Sequence, residues 1–243
     1  MIHGADYSNH QTQATMRTHL EMNPSIEFAL LKVSQGLTFA DDTFTEKLAY
    51  LNSLHKLVAG YHYLTDFDGA AQWDYFESCL GRAGRNTQVF GFPVAFDYEG
   101  DLLKTPERGD AIARAFVKRG QARGFKVGKY GSARVSQTHL GEDWVWAAWW
   151  EQAPPPFPWN IWQSSSDPID LDNAPHPTLD RLRVWWESVG VRGRPHPRKV
   201  WYAYDPLTGQ TLGPCDYLTI GAAITRHLRS YPLSGRLTVT RRV

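Results

Sequence analysis

The sequence predicts an α/β fold: an irregular (β/α) TIM-like barrel with a small C-terminal β-β-α-β appendage. Three observations point there. Short apolar runs alternate with amphipathic stretches over the first three quarters of the chain, which is the pattern of strands joined by crossover helices. Seven or eight such runs fall within residues 1–190, near the lower size limit for a β/α barrel. Beyond them, residues 191–198 are rich in Gly, Pro and Arg and read as a linker to a tail of different pattern.

The elements follow in order. Ile2–Tyr7 is a short strand candidate, and residues 28–33 form an almost unbroken apolar run, as expected for a strand covered on both faces. A helix follows, with Asp42 as its expected cap and Phe44, Leu48 and Leu51 on one face. Residues 58–64 are the third strand. Asp68 then opens a helix carrying Trp73, Phe76 and Leu80 on one side. Residues 93–98 are the fourth strand. Thr105 and Pro106 signal the start of the next helix, with Ile112, Ala115 and Phe116 facing inward. Residues 126–130, 145–149 and 159–163 are the fifth to seventh strands, and residues 168–171 a weaker eighth. Leu179–Val189 closes the barrel region as a helix. The connections after strands five to seven are too short for full helices, so the second half should be irregular. In the tail, residues 199–243, strands at 199–204 and 211–217 suggest a hairpin around Pro206-Leu207-Thr208-Gly209. A helix at 220–229 and a strand at 236–242 complete it.

Composition narrows the function classes. Hydrophobic residues at 42% and charged residues at 21% fit a globular chain. The net charge of +1 gives no global attraction to nucleic acid or to an anionic membrane. Ten tryptophans are unusual, and exposed aromatic rings suit the apolar faces of sugars as well as a core. Cys79 and Cys215 form no metal or disulfide pattern, and the scattered histidines show no ligand spacing. Neither a cofactor nor a metal is expected. The N-terminus lacks a basic segment followed by an apolar run, and residues 144–150, the most apolar stretch, are too short to span a bilayer. A monomer made in the cytoplasm without a signal peptide, and not inserted in a membrane, is the expectation.

The sharpest local feature is Phe92-Pro93-Val94-Ala95-Phe96-Asp97-Tyr98-Glu99-Gly100. An apolar strand ends in two carboxylates at i and i+2, which share a face roughly 7 Å apart along the backbone. Such a pair resists double ionisation, so one carboxyl should hold a proton near neutral pH. Glycosidic cleavage needs that arrangement, an acid beside an anion. Taken alone, the D-x-E pattern also fits a solvated acidic loop. Asp6 ends the first strand and Asp170 follows the seventh. At the carboxyl rim of a barrel these four acids would meet. Tyr61, Tyr130 and Trp149 stand near strand ends as candidates for sugar binding. His62 alternates to the other face and reads as structural. Trp144, Trp146 and Trp150 are not separable from barrel packing by pattern.

Over residues 1–190 the chain resembles glycoside hydrolase family 25, the Chalaropsis-type lysozymes. Gly4-Ala5-Asp6-Tyr7-Ser8-Asn9-His10-Gln11 is similar to the family's opening, G-x-D-V-S-x-x-Q. Lys32-Val33-Ser34-Gln35-Gly36 resembles K-A-T-E-G, and Gly60-Tyr61-His62-Tyr63 resembles G-x-Y-H-F. Asp97-Tyr98-Glu99 matches the D-x-E signature. Trp162-Gln163-Ser164-Ser165 and Ile169-Asp170-Leu171-Asp172 resemble W-Q-Y-T/S and V-D-L-N. Two departures stand out: Ser34-Gln35 replaces T-E, removing one rim charge, and Tyr7 replaces a small aliphatic residue.

The resemblance implies an N-acetylmuramidase acting on the glycan strands of peptidoglycan. Glu99 would be the general acid and Asp97 its assistant, with Asp6 and Asp170 tuning protonation. The missing export signal favours a phage-type endolysin released by a separate pore to reach the cell wall, or a virion-borne lysin. A catalytically silent peptidoglycan-binding barrel is the alternative from another class, and a related hydrolase of chitin is a third. The basic and aromatic residues of 199–243 fit either wall binding or simple packing.

Overall fold

A computed structural model describes residues 1–84, 93–166, 169–190, 200–204, 211–215 and 238–242. The chain divides into two compact units, Met1–Arg192 and Gly193–Val243. In the first, the order is β1 (Ile2–Tyr7), α1 (Gln13–Met22), β2 (Ile26–Gln35), β3 (Phe39–Ala40), α2 (Phe44–Ser53), β4 (Leu57–Tyr63) and α3 (Gly69–Gly84). Then come β5 (Val94–Asp97), a 3-10 turn (Gly100–Lys104), α4 (Pro106–Ala122), β6 (Val127–Gly131), α5 (Ala133–Gln137), β7 (Trp144–Ala148), β8 (Ile161–Ser165), β9 (Leu171–Ala174) and α6 (Leu179–Val189).

The sheet runs β1-β9-β8-β7-β6-β5-β4-β2 and closes because β1 also pairs with β2, giving an eight-strand barrel. From β1 through β8 the barrel neighbours are parallel, while β9 is antiparallel to both β8 and β1. The sequence pattern had placed the eighth strand at 168–171 in a parallel set. The reversal has a simple cause. Only residues 166–170 join β8 to β9, and a parallel return needs a crossover of about a dozen residues or more.

Alternation along each strand sorts the side chains into two layers. Phe28, Leu30, Ala59, Tyr61, Ala95, Tyr130, Trp144, Trp146, Ile161 and Ala174 belong to one buried cluster, inside the barrel. Ala29, Leu31, Val33, Val58, Val94, Phe96 and Val127 belong to the other, outside, under the helices. The interior is filled solid. A Cβ on Gly4 would stand 2.3 Å from the Phe28 ring, and one on Gly128 2.1 Å from Trp144, so glycine makes room for each large ring. Helix α6 joins the inner cluster through Leu182, Trp186 and Val189. Trp186 lies 5.5 Å from Phe28, centroid to centroid, and its Nε1 donates to the Val58 carbonyl at 3.1 Å.

The outer layer is aromatic. Phe116 of α4 stacks on His62 at 5.3 Å and meets Trp73 edge-on at 5.0 Å. His62 is fully buried, its Nδ1 accepting from Ser34 Oγ at 2.9 Å, and burial pushes its pKa down to about 3. It is a neutral structural group.

Local signals differ from the sequence reading at three points. Helix α1 forms where the pattern marks none, because only Met16 and Leu20 are buried on it. Thr12 caps it through Thr15 N at 3.1 Å. At α2 the N-cap is Thr43, not Asp42, and it makes no side-chain cap bond; Asp41 Oδ1 accepts from Thr43 N at 2.9 Å just ahead of the helix. In α4, Ala113 is the buried alanine and Ala115 is only partly covered. Asp68 does cap α3, accepting from Ala71 N at 2.8 Å.

The second unit holds β10 (Val200–Tyr204), β11 (Thr211–Cys215) and β12 (Thr238–Arg242), an antiparallel sheet in the order β11-β10-β12. The expected linker at 191–198, the turn at 206–209 and the helix at 220–229 lie outside the described residues. Among the described residues no helix is long and apolar enough to cross a membrane.

Phe116 contacts the most aromatic neighbours of the outer layer. Phe116→Ala is expected to lower unfolding stability by about 3–5 kcal/mol, read from urea denaturation of the pure protein.

Candidate active site

A cavity of about 290 Å³ opens at the carboxyl rim of the parallel strands. Asp6, Asp97, Glu99 and Asp170 all line it, as do Tyr61 and Tyr130. Strand geometry explains the convergence. Asp6 and Asp97 sit at the carboxyl ends of β1 and β5, at inward positions. Glu99 follows Asp97 at the same parity. Asp170 arrives from the other direction: β9 is antiparallel, so its amino end reaches the rim where the other strands finish.

The turn after β5 is held on both sides. Tyr98 points outward and its hydroxyl donates to Asp110 Oδ1 at 3.0 Å. Gly100 has φ +60°, a conformation costly for other residues, and a Cβ there would meet the Tyr63 hydroxyl at 2.5 Å. Glu99 is thereby left half-buried over the cavity, while Asp97 is buried.

Every acid in the group is shifted toward holding a proton. Burial raises Asp97 well above the ordinary carboxylate value, Glu99 adds to this, and the Lys32 ammonium opposes it. Burial and then Asp170 raise Glu99, again against Lys32. Asp6 is raised well above its usual value by burial, Asp172 and Asp170, and is relieved in part by a hydrogen bond from Gln163. Burial raises Asp170 as well, opposed by a hydrogen bond with Asp6. These are directions expected for carboxyl groups crowded in a low-dielectric site.

The partners are sparse. Asp97 Oδ1 is buried and finds no hydrogen-bond partner among the described residues. Lys32 is buried, donates to Gln35 Oε1 at 2.7 Å, and lies 5.0 Å from the Tyr63 ring centroid. Thus the position that departs from the K-A-T-E-G pattern, Gln35, gives this lysine a neutral partner. Among the described residues, no group of His, Cys, Asp and Glu is arranged to hold a metal ion.

Trp149 does not line the cavity. It lies one position past β7, at outward parity, and its ring packs edge-on to Phe157 at 5.8 Å. Trp146 and Trp150, at the inward parity, line the cavity instead, and Trp150 is 63% exposed. Several contributors were not singled out from sequence: Lys32, Tyr63, Gln163, and the loop residues Ser8, His10 and Gln11. All six lie within the motifs quoted above, so position in the motif is an available signal. Asp172, behind the cavity, is fully enclosed; its Oδ1 accepts from Trp146 Nε1 at 2.7 Å. Tyr7 points away from the site and bonds His19 Nδ1 of α1 at 2.8 Å.

A family GH25 lysozyme from Aspergillus fumigatus superposes with a TM-score of 0.61 at 20% identity, over 76% of this chain and 99% of that one. The bacterial lysozyme from Streptomyces coelicolor gives 0.61 at 20% identity, over 77% and 98%. The CTP1L endolysin gives 0.52 at 20% identity, over 76% and 69%. At such identities the likeness is one of fold. No curated protein matches the sequence directly. The family profile described as Glycosyl hydrolases family 25, however, matches residues 5–172. That match covers more than half of the chain and contains all the rim acids; the chain belongs to glycosyl hydrolase family 25 and is a glycoside hydrolase.

Proposed function

We propose that this enzyme is a lysozyme, an N-acetylmuramidase that hydrolyses the β-1,4 bond between N-acetylmuramic acid and N-acetylglucosamine in peptidoglycan. One observation carries the reading: Asp97 and Glu99 share a rim cavity with Asp6 and Asp170, and all four carboxyls are biased toward their protonated forms. The solved folds it resembles include lysozymes and an endolysin, which supports a cell-wall substrate.

Glu99 is the half-buried acid, open to the cavity, and serves as proton donor to the leaving glycosidic oxygen. Asp97 offers an unpartnered buried oxygen, suited to accept the N–H of the substrate's acetamido group. That bond turns the acetamido carbonyl oxygen toward C1. As the C1–O bond breaks, the leaving oxygen takes the Glu99 proton and the acetamido oxygen bonds C1. Water then attacks C1, Glu99 takes one of its protons, and the acetamido oxygen is released. Asp170 disfavours ionisation of both Asp97 and Glu99, which helps their protons stay bound. Tyr61, at the floor, and the exposed Trp150 ring, at the mouth, supply faces for the sugar.

Two outcomes are expected. Glu99→Gln should lower the rate of wall lysis roughly 100- to 10,000-fold with the circular dichroism spectrum unchanged. Mass spectrometry of wild-type digests should show muropeptides ending in reducing N-acetylmuramic acid. Wall binding with no new reducing ends would favour a silent binding barrel instead.

The pH profile follows from the signs. Turnover requires protonated Glu99, so kcat/KM falls as pH rises through its elevated pKa. Lys32 opposes that elevation; Lys32→Met should therefore move this basic limb to higher pH, measured on soluble peptidoglycan.

Stability responds in the opposite sense to charge. A carboxyl raised on folding stabilises the fold below its unfolded pKa, and that contribution is lost as pH rises through the folded pKa. Asp97→Asn should then raise the melting temperature at pH 7 relative to wild type, and the gain should shrink as the pH is lowered below the carboxylate range.

A further inference from the structure

The buried carboxamide of Gln163 joins three groups of the cavity that come from three different strands or their extensions. Its Nε2 donates to Asp6 Oδ2 at 2.8 Å. Its Oε1 accepts from the Tyr130 hydroxyl at 2.6 Å and from Trp150 Nε1 at 3.2 Å. Its own carbonyl accepts from Trp149 N at 3.1 Å, which ties the end of β7 to β8. Gln163 is 3% exposed, so water does not replace these bonds cheaply.

The direction of every bond is fixed by one atom. An indole N–H is a donor only, so the group facing Trp150 Nε1 must be the amide oxygen. Were the amide turned over, its NH₂ would face the Trp150 N–H, donor against donor. With the oxygen toward Trp150, the NH₂ must face Asp6, which meets it with an acceptor oxygen. The same Oε1 takes the Tyr130 proton. Tyr130 has a single hydroxyl proton, and it is spent on Gln163. Its oxygen therefore turns lone pairs toward the cavity.

We infer that Gln163 is a positioning residue of this active site: it sets Asp6, Tyr130 and Trp150 in one register and makes Tyr130 a hydrogen-bond acceptor for the substrate. The substrate group that meets Tyr130 is then a donor, which for a glycan means a hydroxyl or an amide N–H. A tyrosine donating to a substrate carbonyl at this position is excluded by the same bookkeeping. The inference rests on the muramidase reading for its kinetic arm only, because the bond pattern belongs to the free enzyme.

Five proteins test it: wild type, Gln163→Leu, Gln163→Glu, Tyr130→Phe and the Tyr130→Phe/Gln163→Leu double variant that closes a cycle. Gln163→Leu should lose about 100-fold in kcat on soluble peptidoglycan while keeping its circular dichroism spectrum. Gln163→Glu should be impaired at neutral pH, where a glutamate carboxylate has no proton to donate to Asp6. It should recover toward wild type as the pH falls, because a protonated glutamic acid reproduces both the donor to Asp6 and the acceptor for Tyr130. A purely space-filling role would leave the ratio of its activity to that of wild type flat with pH. In the cycle, Tyr130→Phe should cost less in the Gln163→Leu background than alone, since the hydroxyl is no longer oriented. The indole N–H resonance of Trp150 should shift in Gln163→Leu without any substrate present. Full activity in folded Gln163→Leu, a flat pH ratio, strict additivity or an unmoved indole resonance would each overturn the proposal. A wild-type protein that cuts no peptidoglycan would fault the muramidase reading instead, and the indole resonance would still judge the bond pattern.

Discussion

Closure of the sheet between β1 and β2 is the constraint from which the site follows. Once the barrel closes, every second residue of every strand is committed to an interior with no route to solvent except through the rim. Near the bottom this costs nothing, because those positions carry Phe28, Ala59, Ala95, Trp144 and Ile161. Near the rim the same alternation places Asp6, Asp97 and Asp172 inside. An isolated buried carboxylate is far more expensive than a neutral carboxylic acid. With Lys32 as the one buried cation among the cavity's described lining residues, charge pairing cannot offset that cost. The acids answer by retaining protons. The chemical readiness of the site is therefore a consequence of its poor solvation, and it opposes stability at neutral pH.

The surrounding structure restrains groups that the interior would otherwise push apart. On the first loop, buried Lys47 donates to the carbonyls of Ser8 and Gln11, each at 2.5 Å, and so holds the backbone that carries two cavity residues. Beside β1, the Tyr7–His19 bond locks α1 against the strand that ends in Asp6. Under β4 and β5, the His62, Phe116 and Trp73 stack fills the space between sheet and helices without introducing charge. Behind β6 the buried Lys129–Glu142 ion pair, at 2.8 Å, fills space with its charges paired to each other. These contacts face away from the cavity, so the supporting layer and the reactive layer are separated by the thickness of one strand.

Much of this was legible beforehand because it is local. The D-x-E at the end of an apolar strand, the acid closing the first strand and the acid after the seventh are each visible as short patterns. Their convergence needed only the rule that parallel barrel strands finish at one rim. What was not legible also has local causes. Trp150 rather than Trp149 lines the cavity, and pattern alone does not fix the parity at which a strand stops, where a slip of one residue exchanges inside for outside. Helix α1 was missed because it buries only two side chains, too few to show a period. The direction of the last strand does not show in its residue pattern; it follows from a connection shorter than the span a parallel return requires.

What the sequence by itself determined is the alternation of apolar and polar positions, the family's short motifs and the identity of the rim acids. These depend on neighbours along the chain and on the period of the backbone. What only the tertiary structure decided is which groups those acids meet: the Gln163 bridge to Asp6, the neutral Gln35 beside Lys32, the solitary oxygen of Asp97 and the exposed ring of Trp150. The Gln163 bridge joins residues far apart in sequence, and all four features hang on a strand's register, the reversal of β9 or the closing pair β1–β2. Those are properties of the closed sheet as a whole, and no stretch of chain carries them alone.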